Sequence, residues 1–277
     1  MTQPLRIGIS TCPNDTFAFH GLLTGVVPTE GLELQIELMD ISELNSGLIA
    51  GRFDVAKASF HAALLLADQW CVLPSGSALG FGVGPLLLAA RPDESPTASS
   101  LILCPGELTT ATLLMKLFYR EASRIKQVVF SDIMPELKKR NADFGVCIHE
   151  GRFTWEQEGV HLVEDLGARW EQQTGAPLPL GGILGAKRVG TETLTRVQEL
   201  IAKSLAVSLE DPSSALPTMR AYAQEFDDDV LMQHVDLYVN EWTQDLGDVG
   251  RDALQRLSEL ATQGGITAGG LAALEVL

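Results

Sequence analysis

The sequence predicts a two-lobed α/β protein with one lobe inserted into the other. Three observations predict it. Strand-like and helix-like apolar periods alternate through the first 150 residues. Two glycine- and proline-bearing stretches interrupt that alternation. After Thr191 the pattern turns helical almost to the end. Composition agrees with a globular protein. The 277 residues are 45% hydrophobic and 20% charged, which excludes a disordered, collagen-like or coiled-coil chain. A chain of this size buries about 70–75% of its unfolded surface, enough for one large core or two moderate ones.

The elements follow in order. Residues 5–10 (LRIGIS) read as a strand, and 17–23 have helical spacing. Residues 32–41 (LELQIELMDI) alternate like a strand. Residues 42–50 read as a helix with Ser42 as its cap. Residues 54–60 (DVAKASF) form a third strand, and an apolar helix follows through Leu66. Residues 76–84 (GSALGFGVG) are glycine-dense. They lead through 85–90 into the polar stretch 91–100 (RPDESPTASS), read as the first crossing between lobes. The second lobe alternates strand 101–104, helix 109–120, strand 127–130, helix 135–140 and strand 144–148. Residues 178–185 (LPLGGILG) read as the return crossing. Lobe 1 is therefore expected to comprise 1–95 and 181–277, and lobe 2 residues 96–180. A short echo links the lobes: Asp54 and Asp143 each stand between a helix and an apolar strand. Turns favour Asp and Asn for their own reasons, so two short matches are also what chance would give.

Two α/β lobes joined by two crossings is the layout of periplasmic binding proteins, whose ligand sits between the lobes. Ligands of open α/β sheets lie beyond the carboxyl ends of the strands. The net charge of −16, from 20 basic and 36 acidic residues, disfavours a nucleic-acid partner. No apolar run is long enough for a membrane span, and no apolar leader opens the chain. A cytoplasmic protein is therefore expected. Cys12, Cys71, Cys104 and Cys147 are scattered without a CxxC pair, so neither a zinc site nor a redox pair is expected.

Four strand ends carry the candidate chemistry. Asn14 lies after strand one, in a polar segment (STCPNDT) that opens a helix and also reads as a plain capped start with Asn14 or Asp15 as cap. Lys57, Ala58 and Ser59 end the third strand. A lysine within an apolar strand needs a carboxylate, a ligand or an exit to solvent. Thr109 and Thr110 open a helix and offer hydroxyls and N–H groups to an anion, or simply cap it. His149 ends the last strand of lobe 2, where an imidazole can exchange protons near neutral pH. A lone histidine is more commonly structural. His20, His61, His161 and His234 have no comparable placement. Trp155 and Trp170 read as packing residues, and the run 227–229 (DDD) as a charged helix start.

Taken together, TCPNDTF (11–17), Gly84-Pro85-Leu86, Pro105-Gly106 with Thr109-Thr110, His149-Glu150 with Arg152-Phe153-Thr154, Asp165-Leu166-Gly167 and PLPLG (177–181) are distinctive. In that order, over nearly the full length, the chain resembles the 1,4-dihydroxy-6-naphthoate synthase family of menaquinone biosynthesis. It departs at Thr11, where the family has proline, and at Gly151, where it has serine. The resemblance implies a type II periplasmic-binding-protein-like fold and a cytoplasmic, cofactor-independent carbon–carbon lyase. The implied substrate is cyclic dehypoxanthine futalosine, and the products are 1,4-dihydroxy-6-naphthoate and dihydroxyacetone. It maps the proton acceptor onto His149, and substrate-binding segments onto Lys57-Ala58-Ser59 and Thr109-Thr110. Rival readings are a cytosolic small-anion binding or sensor protein of the same fold, and the sister enzyme chorismate dehydratase.

Overall fold

A computed structural model describes residues 3–149, 151–223, 227–266 and 273–277. The first unit opens with β1 (Leu5–Ser10), α1 (Pro13–Leu23), β2 (Leu34–Met39), α2 (Ile41–Ile49), β3 (Val55–Ser59) and α3 (Phe60–Leu66). Short strands β4 (Trp70–Val72) and β5 (Ala78–Gly80) follow. The second unit comprises β6 (Leu86–Ala89), β7 (Leu101–Cys104), α4 (Thr110–Phe118), β8 (Arg124–Gln127), α5 (Ile133–Lys138), β9 (Phe144–Cys147), α6 (Gly151–Thr154) and β10 (His161–Asp165). Helix α7 (Leu166–Thr174) leads back into β11 (Leu178–Ala186). The chain then runs through α8 (Thr191–Glu210), α9 (Leu216–Tyr222), α10 (Asp228–Tyr238), α11 (Glu241–Gln244) and α12 (Gly247–Gln263).

Two sheets result. The first runs β2-β1-β3-β11-β4, with β5 also paired to β11; the second runs β10-β6-β9-β7-β8. Apolar alternation sets the register. Ile7 and Ile9 of β1 stand beside Ile36 and Leu38 of β2 in a parallel pair. Each sheet ends its parallel part on an antiparallel neighbour, β11 against β3 and β6 against β9. Leu44, Phe53 and Phe60 from the first unit join Ile102, Phe144 and Trp170 from the second in one continuous buried core. No described helix is long and apolar enough to cross a membrane.

The Asp54/Asp143 echo is a structural repeat. Asp54 N–H donates to the Arg6 carbonyl at 2.8 Å, and Arg6 N–H donates back to Asp54 Oδ2 at 2.8 Å. Asp143 N–H donates to the Leu101 carbonyl at 3.0 Å, and Leu101 N–H donates back to Asp143 Oδ2 at 2.8 Å. The antiparallel neighbours repeat as well. Ala186 N–H reaches the Asp54 carbonyl and Ala90 N–H the Asp143 carbonyl, both at 2.9 Å. Aspartate thus locks β1 to β3 and β7 to β9 by one device.

Several expectations need correction. Strand β6 lies in the second sheet, so the outward passage runs through residues 81–85, ahead of the polar stretch 91–100 and of the expected boundary at 95. The stretch 178–185 is no loose crossing. It is the nine-residue strand β11, set between β3 and β4. Its glycines admit close neighbours: a Cβ on Gly181 would lie 2.5 Å from the Ala58 carbonyl oxygen. Asp40, not Ser42, caps α2, accepting from Ser42 N–H at 2.7 Å. In α1 the cap position is Cys12, and Asn14 and Asp15 sit in the first turn. Strand β8 (RIKQ) starts three residues before the expected strand over 127–130.

The passages between the sheets meet at a tight backbone contact. A Cβ on Gly84 would come within 2.2 Å of Gly167 Cα. The Arg152 guanidinium donates to the Gly84 carbonyl at 2.5 Å and to Asp165 Oδ2 at 2.7 Å. Asp165 Oδ1 in turn caps α7 by accepting from Gly167 and Ala168 N–H. Leu166 N–H donates to the Pro85 carbonyl at 3.0 Å. Three motifs scattered along the sequence therefore form one junction.

Candidate active site

The carboxyl ends of β1, β3, β7 and β9 supply walls of one cavity between the sheets, open to solvent on one side. All seven expected residues line it: Asn14, Lys57, Ala58, Ser59, Thr109, Thr110 and His149. It also gathers Cys12, Asp15 and, from α10, His234 and Tyr238. This is the placement that open α/β sheets impose on their ligands.

Lys57 does not reach solvent. Its Nζ donates to Asp15 Oδ1 at 2.6 Å and to the Gly76 carbonyl at 3.0 Å, and both side chains of the pair are about 5% exposed or less. Burial pushes the Asp15 carboxyl up, against the downward pull of Lys57. The contact at 2.6 Å nevertheless pairs Lys57 with a carboxyl inside the protein. Ser59 is held by Asn45, which accepts from Ser59 N–H at 3.0 Å and donates to its Oγ at 3.1 Å. Strand alternation placed Lys57 and Ser59 on the cavity side; nothing in the sequence pointed to Asn45.

Thr109 is the cap of α4, its Oγ1 accepting from Thr112 N–H at 3.2 Å. Thr110 Oγ1 donates to the Leu180 carbonyl at 2.6 Å and so ties α4 to β11. Thr110 and Ala111 are the first two residues of the helix, so their N–H groups have no intrahelical acceptor. Both line the cavity. Capping and cavity lining are thus properties of one segment, not alternatives.

His149 has φ +55°, a left-handed conformation uncommon outside glycine. Strain of this kind persists where surrounding structure fixes it, and it concentrates at functional sites. The ring is held on several sides. Cys12 Sγ lies 3.5 Å from Nδ1 and 3.7 Å from Nε2. The edge of Phe130 meets it at 4.7 Å between centroids, and His234 lies nearly parallel at 6.1 Å. Cys12 is itself met by the Ser10 hydroxyl at 2.8 Å. Glu150, the next residue of the motif, lies outside the described residues.

His234 is the residue that the sequence concealed. It is 1% exposed and joined to the first turn of α1 from 220 residues away, its Nε2 3.1 Å from Asn14 Oδ1. Asn14 Nδ2 donates to Asp15 Oδ1 at 3.1 Å. A chain of contacts thus runs Lys57–Asp15–Asn14–His234. Burial holds His234 well below the ordinary imidazole range, and the Lys57 ammonium adds to that. His20 and His61 are structural, as lone histidines usually are. His20 Nδ1 meets Thr218 Oγ1 at 2.8 Å, and burial takes His61 down to about 4. Trp170 is fully buried, with its indole N–H on the Ala176 and Pro177 carbonyls. Asp227 caps α10 through Asp229 and Val230 N–H.

The geometry defines a class: a two-lobed protein of periplasmic-binding-protein-like fold, with ionisable groups of both lobes converging in its cleft. Solved structures agree. A protein from Archaeoglobus fulgidus has a TM-score of 0.90 at 29% identity, covering 95% of this chain and 98% of that one. The periplasmic aliphatic sulphonate binding protein of Escherichia coli has a TM-score of 0.65 at 14% identity, covering 98% and 90%, a likeness of fold alone. The sequence profile for menaquinone biosynthesis matches residues 5–263, and the chain belongs to that family. It is 39% identical to a 1,4-dihydroxy-6-naphthoate synthase of Thermus thermophilus over 96% of this chain and 97% of the relative. It is 37% identical to one of Streptomyces coelicolor over 95% and 94%. These relatives place it among the enzymes of menaquinone biosynthesis.

Proposed function

We propose that the chain is itself a cytoplasmic 1,4-dihydroxy-6-naphthoate synthase that cleaves a carbon–carbon bond of cyclic dehypoxanthine futalosine and releases dihydroxyacetone. The observation that carries this reading is His149: an imidazole in a left-handed backbone conformation, in the cavity, clasped by Cys12 and Phe130. As general base it takes a proton from the substrate, the spiro carbon skeleton opens, and aromatisation drives release. The fixed ring meets the substrate without reorganising, and the cleft limits water around it.

The substrate's carboxylate fits the start of α4. The N–H groups of Thr110 and Ala111 and the positive end of the helix dipole favour an anion there. Lys57, already paired with Asp15, fits the role of holding that wall in place and offering a remaining ammonium proton to a substrate oxygen.

The test is turnover of cyclic dehypoxanthine futalosine, followed by the naphthoate chromophore, for wild type and His149→Ala. Product from wild type, with kcat lower by about 10²–10⁴-fold in the variant and binding retained, is the expected outcome. Equal turnover in the variant refutes the base. Tight binding without turnover by wild type returns the protein to the binding or sensor class.

A further inference from the structure

Asn14 fixes the proton of a neighbouring imidazole. Its Nδ2 donates to Asp15 Oδ1, so its Oδ1 is the atom facing His234 Nε2. An amide oxygen only accepts, and Nε2 must therefore carry the proton. Burial, with the Lys57 ammonium nearby, favours the neutral form of His234. In a neutral ring with Nε2 protonated, Nδ1 is a bare acceptor. Among the described residues that Nδ1 has no hydrogen-bond partner, although it is buried and the residue lines the cavity. An orphaned buried acceptor is disfavoured, and native structures rarely retain one without a use.

We infer that His234 Nδ1 is the acceptor for a hydroxyl of the bound ligand, making His234 a substrate-orienting residue on the lobe opposite His149. The lone pair repels a carboxylate and welcomes an O–H. The cleft is thereby polarised. Its α4 wall presents N–H donors that suit an anion, and its α10 wall presents an acceptor that suits a neutral polyol or hydroxyketone. Resting on the proposed function, this assigns the ring carboxylate to α4 and the sugar-derived hydroxyl end to α10. The Lys57–Asp15–Asn14 chain then has a role besides packing: it holds the tautomer that leaves Nδ1 bare.

Two measurements test it. In the first, kinetics compare wild type, His234→Gln and His234→Asn. Glutamine reaches Asn14 but leaves the Nδ1 position empty; asparagine restores a polar group there. The expected result is a KM raised about tenfold in His234→Gln, with kcat less affected and part of the loss recovered in His234→Asn. A wild-type KM in His234→Gln, with wild type active, overturns the inference and leaves the lyase reading intact. In the second, histidine ¹⁵N spectra of the wild-type protein are recorded with and without dihydroxyacetone. This needs no variant and no turnover. The expected result is a bare Nδ1 on His234 that shifts on addition. A protonated Nδ1, or a bare one that does not respond, overturns the inference. An Nδ1 response in a protein without turnover keeps the acceptor and removes the lyase.

Discussion

Breaking the Lys57–Asp15 pair from one side should cost much more than removing it whole. Nζ and Oδ1 are 2.6 Å apart, with both side chains almost fully buried. At an effective dielectric of 20 the gross attraction is about 6 kcal/mol, and desolvation of the two ions takes several kcal/mol each. The net worth of the pair is therefore small. Asp15→Leu leaves a buried ammonium with only the Gly76 carbonyl, and Lys57→Met leaves a buried carboxylate with Asn14. Each single change should destabilise by about 3–5 kcal/mol. The double variant should fall well short of the sum, within about 2 kcal/mol of wild type, because methionine and leucine fill the space without charge. Urea unfolding of the four proteins, followed by fluorescence and far-UV circular dichroism, gives the cycle. Additive losses would refute the reasoning, since they would mean that neither residue depends on the other for its burial.

Two further predictions concern the scaffold. Gly84→Ala puts a methyl 2.2 Å from Gly167 Cα, so the passages must part by more than 1 Å to regain ordinary contact. A loss of about 2–4 kcal/mol is expected, with turnover reduced because the lobes meet there, and thermal unfolding with parallel kinetics reads both. Asp54 governs part of the acid limb of stability. Burial opposes its ionisation, but hydrogen bonds from the Arg6 N–H, Arg6 guanidinium and Arg188 outweigh burial and lower its pKa below 3.8. A depressed carboxyl contributes stability above its unfolded value that is lost as pH falls through the folded one. Asp54→Asn should therefore be less stable at pH 7 and lose less between pH 4 and pH 2 than wild type; parallel acid limbs in urea melts count against it.

Much of this architecture was legible because local and tertiary preferences agree. The runs that became β1, β2, β3, β7 and β9 alternate or are largely apolar, and β1 and β3 end in small polar residues at a helix start. Since strand ends face the cleft, the positions of Asn14, Lys57, Thr109 and His149 follow from the sequence alone. Strand β8 was misplaced because it is a largely exposed edge and carries no apolar pattern. Strand β11 resembled a linker because close neighbours exclude side chains at Gly181, Gly182 and Gly185, a requirement that only the assembled sheet reveals. His234 sits on an ordinary amphipathic helix, and Asn45 on another. Their partners are distant in sequence, so neither spacing nor composition could single them out.

The sheet order also governs how the protein can come off the ribosome. The second sheet is complete once β10 has been made, its strands contiguous in the chain from Leu86 to Asp165. The first is not. Its β3 waits for β11 with an unpaired apolar edge while the whole insertion is synthesised. Such an edge is a template for pairing with another chain. Crowded, fast expression at high temperature therefore endangers the early-made half, and slower synthesis or a chaperone that shields β3 should raise the soluble yield. The cleft itself, needing β3, β9 and α10 together, cannot form until α10 has been made.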